Sequence, residues 1–184
     1  MKQQAPVTYT LETGEKIVLR SGYPDDGAEL AALRSDIVAE GTFLVPGADD
    51  AGRDEAGAQT FIQACRERPG WVCLVAERSG YIVGDIEFTN GSTPETAHQG
   101  TLTMTVRKDW RHMGIGTILL QGFFDWVATV ALIEKVKLSV VSTNPKAYRL
   151  FKSFDFEVEG SCPREVRLPS GKYADTILMY RFVR

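Results

Sequence analysis

The amino-acid sequence predicts a mixed α/β fold: a sheet of six or seven strands flanked by helices, parallel in the middle and antiparallel elsewhere. Three observations carry that reading. Short runs of strand character alternate with segments of helical period in the order ββα, α, βββαβαββ. From Gly114 onward, apolar residues hold one helical stripe more regularly than anywhere else in the chain. The strands on either side of that stretch are joined by it into a βαβ unit, and such units are parallel with right-handed crossovers.

The elements follow in chain order. Residues 9–14 and 16–20 read as two short strands around a Thr13-Gly14 turn. Residues 24–40 carry Leu30, Leu33, Ile37 and Val38 near helical spacing, opened by Pro24 and acids that suit the N-terminal dipole. A Gly-, Asp- and Pro-rich loop over 41–52 precedes a helix over 53–68, stopped by Pro69-Gly70. Residues 71–76 and 81–88 pair as a hairpin about Ser79-Gly80. A strand over 100–107 follows a polar loop at 90–99. The helix from Gly114 keeps Ile115, Ile118, Leu119, Phe123, Trp126, Val127 and Val130 on one stripe. Residues 135–142 alternate as a strand, Pro145 opens a helix to about Phe154, and strands over 156–159 and 174–183 flank a Pro169-Ser-Gly171 turn.

With 184 residues, 43% hydrophobic and 24% charged, the chain has the composition and length of one globular domain over 1–184, with residues 1–8 expected to be flexible. A chain of this size buries roughly 70% of the surface its unfolded form exposes, so neither disulfide nor metal is needed. The net charge of −3 and the lack of long basic blocks disfavour a nucleic-acid partner. Cys65, Cys73 and Cys162 form no CxxC pair and suit a reducing, cytoplasmic setting. No secretory or organellar address is visible, and the longest apolar tract, 118–133, is interrupted and too short for a membrane span of about 20 residues.

The loop after the 100–107 strand opens at the carboxyl end of the parallel pair, where ligands of α/β sheets bind. A helix N-terminus carries about half a positive charge and several unpaired N–H groups, and an anion satisfies both. Gly114 and Gly116 keep Cβ atoms away from those amides, and Arg111 and His112 stand beside them. A P-loop is excluded because Gly116 is followed by Thr117-Ile118. A dinucleotide fingerprint is excluded because its third glycine would fall on Leu119.

What remains is Arg-x-x-Gly-x-Gly, Arg111 to Gly116, behind an aliphatic strand ending in Val106. Here the chain resembles the Gcn5-related N-acetyltransferase (GNAT) superfamily. The resemblance continues in Asn144, Ala147, Leu150, Phe151 and Phe156, which match that family's Asn-x-x-Ala-x-x-Leu-Tyr-x-x-x-Gly-Phe stretch. It implies acetyl-CoA as co-substrate and acetyl transfer to a primary amine by direct attack. It further implies that Met104 and Val106 face the pantetheine arm. The segment His112, Met113, Gly114, Ile115, Gly116 and Thr117 would take the pyrophosphate, with Asn144 and Phe151 beside the cofactor. Two positions depart from the family pattern: the tyrosine that often protonates the leaving thiolate is Phe151, and the Gly of Gly-Phe is Asp155. Tyr148, one helical turn before Phe151, is the substitute candidate.

Each of these residues also has a plainer reading. Gly114 and Gly116 would serve a tight turn, Asn144 a helix N-cap, and Arg111 and His112 a solvated loop. His98 sits in a polar loop with no partner in view. Asp85 and Glu87 share one strand face, which is either wet or ion-paired, or else chemical, with Glu87 as the base for the incoming ammonium. The acceptor is expected to be a small-molecule or peptide amine, with no metal, nucleic acid or membrane. A homodimer is left open. The rival functions are a non-catalytic acyl-CoA-binding module and an acetyltransferase of protein N-termini or lysines.

Overall fold

A computed structural model of the protein describes residues 4–41 and 54–184. Eight strands form one sheet: β1 (Val7–Thr10), β2 (Lys16–Ser21), β3 (Val72–Arg78), β4 (Tyr81–Asn90), β5 (Gln99–Val106), β6 (Lys135–Val141), β7 (Glu157–Arg167) and β8 (Tyr173–Phe182). Their spatial order is β1-β2-β3-β4-β5-β6-β8-β7. Every strand segment read from the sequence is therefore in the sheet, one more than the upper expectation. Val7 and Thr8, within the stretch expected to be flexible, pair with Leu19 and Val18. The loop expected over 41–52 lies outside the described residues from 42 onward.

The alternation in these strands buries both faces of the sheet under helices. α1 (Gly27–Glu40) and α2 (Glu55–Glu67) cover one face. α1 presents Leu30, Leu33, Arg34 and Ile37, an i, i+3, i+4, i+7 stripe. Val38, expected on that stripe, is exposed. The helix proper begins at Gly27, after a single 3-10 turn at Pro24–Asp26, and ends at Gly41 in the left-handed region, φ +65°. α2 is capped by the Asp54 side chain, which accepts from the Gly57 N–H at 2.8 Å. These two helices pack Leu33, Ile37, Phe61 and Ile62 against Cys73, Val75 and Ile82 of the sheet.

The opposite face holds α3 (Ile115–Ala128), with Leu119, Phe123, Trp126 and Val127 against Leu74, Ile86 and Phe88. Phe88, Phe123 and Trp126 form a ring cluster with centroids 5.4–6.1 Å apart. Each such side chain contributes about 1.5–3 kcal/mol by leaving water. Helix and sheet approach closely enough at Gly122 that an added Cβ would lie 2.2 Å from Leu19 Cδ2. α4 (Pro145–Ser153) follows β6 and seats Phe151 beside Phe156 in the same core.

All strand pairs are antiparallel except β5 with β6, as the βαβ reading requires. That parallel pairing covers only Gln99, Gly100 and Thr101 against Lys135, Val136 and Lys137. β5 keeps pairing with β4 to Val106, and β6 with β8 to Val141. The two central strands thus separate from Thr101 onward, and the gap opens toward the loop that leads into α3.

Candidate active site

The β5-to-α3 loop is held by its arginines. Arg107 donates from Nε to the Ile82 carbonyl at 2.8 Å and pairs with Asp36 and, at 3.5 Å, with Glu29 of α1. Arg111 donates from Nε to the Val106 carbonyl at 2.9 Å, and its two terminal nitrogens meet Glu40 Oε2 and Oε1 at 2.7 and 2.8 Å. This fork-to-fork pair ties the loop to the last residue of α1. The guanidinium expected beside a phosphate is therefore engaged by a carboxylate 71 residues away.

His112 and Gly114 both take positive φ, +65° and +88°, which swings the chain into α3. The first-turn amides of Ile115, Gly116 and Thr117 have no intrahelical carbonyl to bond, and they face the cleft end of the helix. Gly114 and Gly116 are glycines for different reasons. At Gly114 a Cβ would meet nothing within 4 Å, so the left-handed backbone is what excludes other residues. At Gly116 a Cβ would lie 2.8 Å from Leu150 Cδ2 and 3.5 Å from Met104 Cε, so a side chain there would push Leu150 toward the cleft.

A cleft of about 560 Å³ occupies the gap between β5 and β6. Of the residues singled out in the sequence, Met104, Val106, Arg111, His112, Gly114, Gly116, Thr117 and Asn144 line it. Ile37, Thr105, Trp110, Thr143, Pro145, Lys146, Ala147 and Leu150 complete the wall. Lys146 reaches across from α4, its Nζ 2.8 Å from His112 Nε2, so two basic side chains meet at the mouth beside the α3 amides. Asn144 caps α4, its Oδ1 accepting from the Ala147 N–H at 3.1 Å, while still facing the cleft.

Other sequence candidates lie elsewhere. Ile115 is buried in the core, and Met113 and Tyr148 pack against that core without lining the cleft. Phe151 is 6% exposed, edge-on to Phe156 at 5.6 Å, and Leu150 takes the wall position instead. Glu87 and Asp85 face α1 rather than solvent, at 4% and 1% exposure. Arg34 Nη2 lies 2.6 Å from Glu87 Oε1 and 3.4 Å from Asp85 Oδ2, and the Thr105 hydroxyl donates to Asp85. Between a wet and an ion-paired face, ion pairing is what the geometry displays. His98 contributes its carbonyl, which accepts from the Glu134 and Lys135 amides.

Among the described residues no group of three or more His, Cys, Asp or Glu side chains is arranged to hold a metal, and no helix is long and apolar enough to cross a membrane. The cleft can hold an extended ligand: an apolar end bounded by Met104, Val106 and Leu150, and an anion-binding end at the α3 amides with His112 and Lys146.

Comparison with known proteins agrees with this geometry. The model of the acetyltransferase (GNAT) family matches residues 38–156, more than half of the chain. An L-amino acid N-acetyltransferase of Escherichia coli is 26% identical over 115 residues, spanning 62% of this chain and 70% of that protein. An N-alpha-acetyltransferase of Sulfolobus acidocaldarius is 34% identical over 106 residues, spanning 55% and 59%. A GNAT acetyltransferase structure from Streptococcus pneumoniae superposes with a TM-score of 0.84 at 24% identity, covering 91% of this chain and 99% of its own. The structure of yncA from Salmonella typhimurium with its cofactor acetyl-CoA gives 0.80 at 20%, covering 91% and 94%. Strand splay, glycine loop and family match converge: the chain belongs to the GNAT acetyltransferase family.

Proposed function

We propose that the protein transfers acetyl from acetyl-CoA to the α-amino group of an amino acid or of a peptide N-terminus. The observation that carries this is the separation of β5 from β6 after Thr101, which leaves a cleft floored by strand backbone and closed by the α3 amides. The residues present fit acetyl-CoA: the close approach at Gly116, the basic pair His112 and Lys146, and the apolar walls at Met104, Val106 and Leu150 suit pyrophosphate and pantetheine in turn. The choice of an α-amine is supported by the two relatives above, named for acetylation of L-amino acids and of N-alpha positions.

Bound acetyl-CoA supplies an acyl carbon activated as a thioester. The chain must supply position and proton management. Residues 102–106 of β5 have no strand partner on the β6 side among the described residues, so their backbone groups on that edge are available to orient the arm and polarise the carbonyl. The amine must arrive neutral, so one ammonium proton passes to a carboxylate, for which Glu87 is the candidate, reached along the α1 face of β4 and β5 directly or through a water. The amine nitrogen bonds to the acyl carbon and gives its second proton to solvent, the carbon–sulfur bond breaks, and the thiolate takes a proton. A thiol of reference pKa near 8.5 leaves without strong acid assistance, and with Phe151 in the core and Tyr148 outside the cleft wall, solvent is the proton source we assign.

The test is thiol release from acetyl-CoA across free amino acids, N-terminal peptides and amines lacking an α-carboxyl or amide. Turnover confined to α-amines supports the reading. Saturable acetyl-CoA binding with no amine turning over points to an acyl-CoA-binding module. A preference for lysine side chains refutes the acceptor class.

A further inference from the structure

Arg34 was not singled out by the motif reading, yet it is 4% exposed on the buried stripe of α1, one turn before the cleft residue Ile37. Its guanidinium contacts Glu87 and Asp85 together. Asp85 in turn accepts from Thr105, its cross-strand neighbour on β5 and itself part of the cleft wall. One chain of polar contacts therefore runs from the cleft through Thr105, Asp85 and Arg34 to Glu87.

We propose that Arg34 is a positioning residue for acetyl transfer: by bridging Asp85 and Glu87 inside the α1–sheet interface it keeps Glu87 ionised and oriented as the proton acceptor. The inference rests on the reading of Glu87 as that acceptor.

A general base must be ionised in the free enzyme. Burial alone works against this, because a carboxylate withdrawn from water binds a proton more readily, and a second carboxylate two residues along the same strand face adds like-charge repulsion. A guanidinium whose Nη2 lies within reach of both carboxylates reverses the balance, and its charge is permanent across the pH range in which carboxylates titrate. Among the described residues, the neighbouring strands and helices also bring uncharged groups and thiols toward Glu87. Cys73 lies opposite it on β3, and its thiol is pushed well up, first by burial and then by the charges of Glu87, Asp85 and Cys65. Cys65 comes from α2, and Thr103 and Thr105 from β5. Glu29 and Asp36 of α1 are directed at Arg107 instead.

The experiment is the pH profile of kcat/KM for the acceptor in the full-length protein and in Arg34→Gln, Arg34→Lys, Glu87→Gln and the double variant Arg34→Gln with Asp85→Asn. KM for acetyl-CoA and thermal melting are measured alongside. In Arg34→Gln the acid limb should move up by about one pH unit or more, the scale on which loss of a nearby opposite charge raises a carboxyl pKa, with KM for acetyl-CoA nearly unchanged. Adding Asp85→Asn removes the like charge and should bring the limb part of the way back. Arg34→Lys should fall between Arg34→Gln and the parent. If Arg34→Gln loses activity uniformly across pH with its acid limb in place, Arg34 is structural only and the inference fails while Glu87 stands. If Glu87→Gln keeps the parent's turnover and profile, the reading of Glu87 fails first. Should Arg34→Gln not fold, Arg34→Lys decides: a limb displaced upward supports the inference, and an unmoved limb overturns it.

Discussion

Replacing Gly116 by alanine sets a methyl group 2.8 Å from Leu150 Cδ2 and 3.5 Å from Met104 Cε. The first distance is too short to persist, so the Leu150 side chain must move, and both neighbours are cleft-wall residues. Overpacking of this kind costs about 1–3 kcal/mol. In the free protein Leu150 relieves the contact by turning into the cleft, and alanine's helix preference over glycine returns about 1 kcal/mol. Thermal stability should therefore change by only a few degrees. With ligand bound that relief is blocked, and the dissociation constant for acetyl-CoA should rise roughly 5- to 150-fold, at 1.4 kcal/mol per tenfold. Gly114→Ala tests the contrast, since its methyl group would meet nothing within 4 Å but its φ is +88°. A left-handed backbone costs a non-glycine residue about 1–2 kcal/mol, which lowers the melting temperature by about 2–8 °C in a chain of this length. Calorimetric titration and melting curves of both variants separate the two roles. Unchanged acetyl-CoA affinity in Gly116→Ala, or unchanged melting in Gly114→Ala, would refute the reasoning.

Three further outcomes follow from the geometry. Asn144→Ala removes the α4 cap and should cost about 1 kcal/mol, lowering the melting temperature by about 2–4 °C, while Asn144→Asp should keep most of it. Phe151→Tyr would place a hydroxyl in the core beside Phe156, at about 1–3 kcal/mol unless it finds a partner, so melting should fall with no gain in turnover; increased turnover would contradict the position assigned to that ring. Arg20 hydrogen-bonds Glu77 and holds its carboxyl below the usual range against partial burial, and it does the same for Asp26 against stronger burial. Folded values below the unfolded ones give stability that is complete above about pH 5 and is lost as pH falls through the unfolded and then the folded values. Arg20→Gln should accordingly flatten the acid side of the melting-temperature profile, and an unaltered slope would argue against that pairing.

The parts of the site that were legible in the sequence are those the local chain builds by itself. The spacing of Arg111, Gly114 and Gly116 at a strand-to-helix junction placed the cleft, and Asn144-Pro145 placed the start of α4. The contacts between distant segments were not legible. Nothing local to Arg111 announces that its guanidinium meets Glu40, and nothing local to Phe151 says that Leu150 turns to the cleft instead. Arg34 could have been found: it falls four residues after Leu30 on the buried stripe of α1, where a charged side chain needs a buried partner, and Asp85 and Glu87 were already conspicuous as acids in mid-strand. The extent of β7 was hidden for the opposite reason. It lies at the sheet edge with most of its residues exposed and two register shifts, so no alternation marks Glu157–Arg167 as one strand.

The central claim is that this cleft brings acetyl-CoA and an α-amine together for direct transfer. Incubating the protein with acetyl-CoA labelled in its acetyl carbon and a mixture of amino acids and short peptides, then following label and free thiol together, tests it most directly. Label should appear in the α-amide of an acceptor with one thiol released per amide, and both should fall sharply in Gly116→Ala when acetyl-CoA is held well below the dissociation constant of that variant. Thiol release without amide formation, or label appearing on side-chain amines while α-amines stay free, would contradict it.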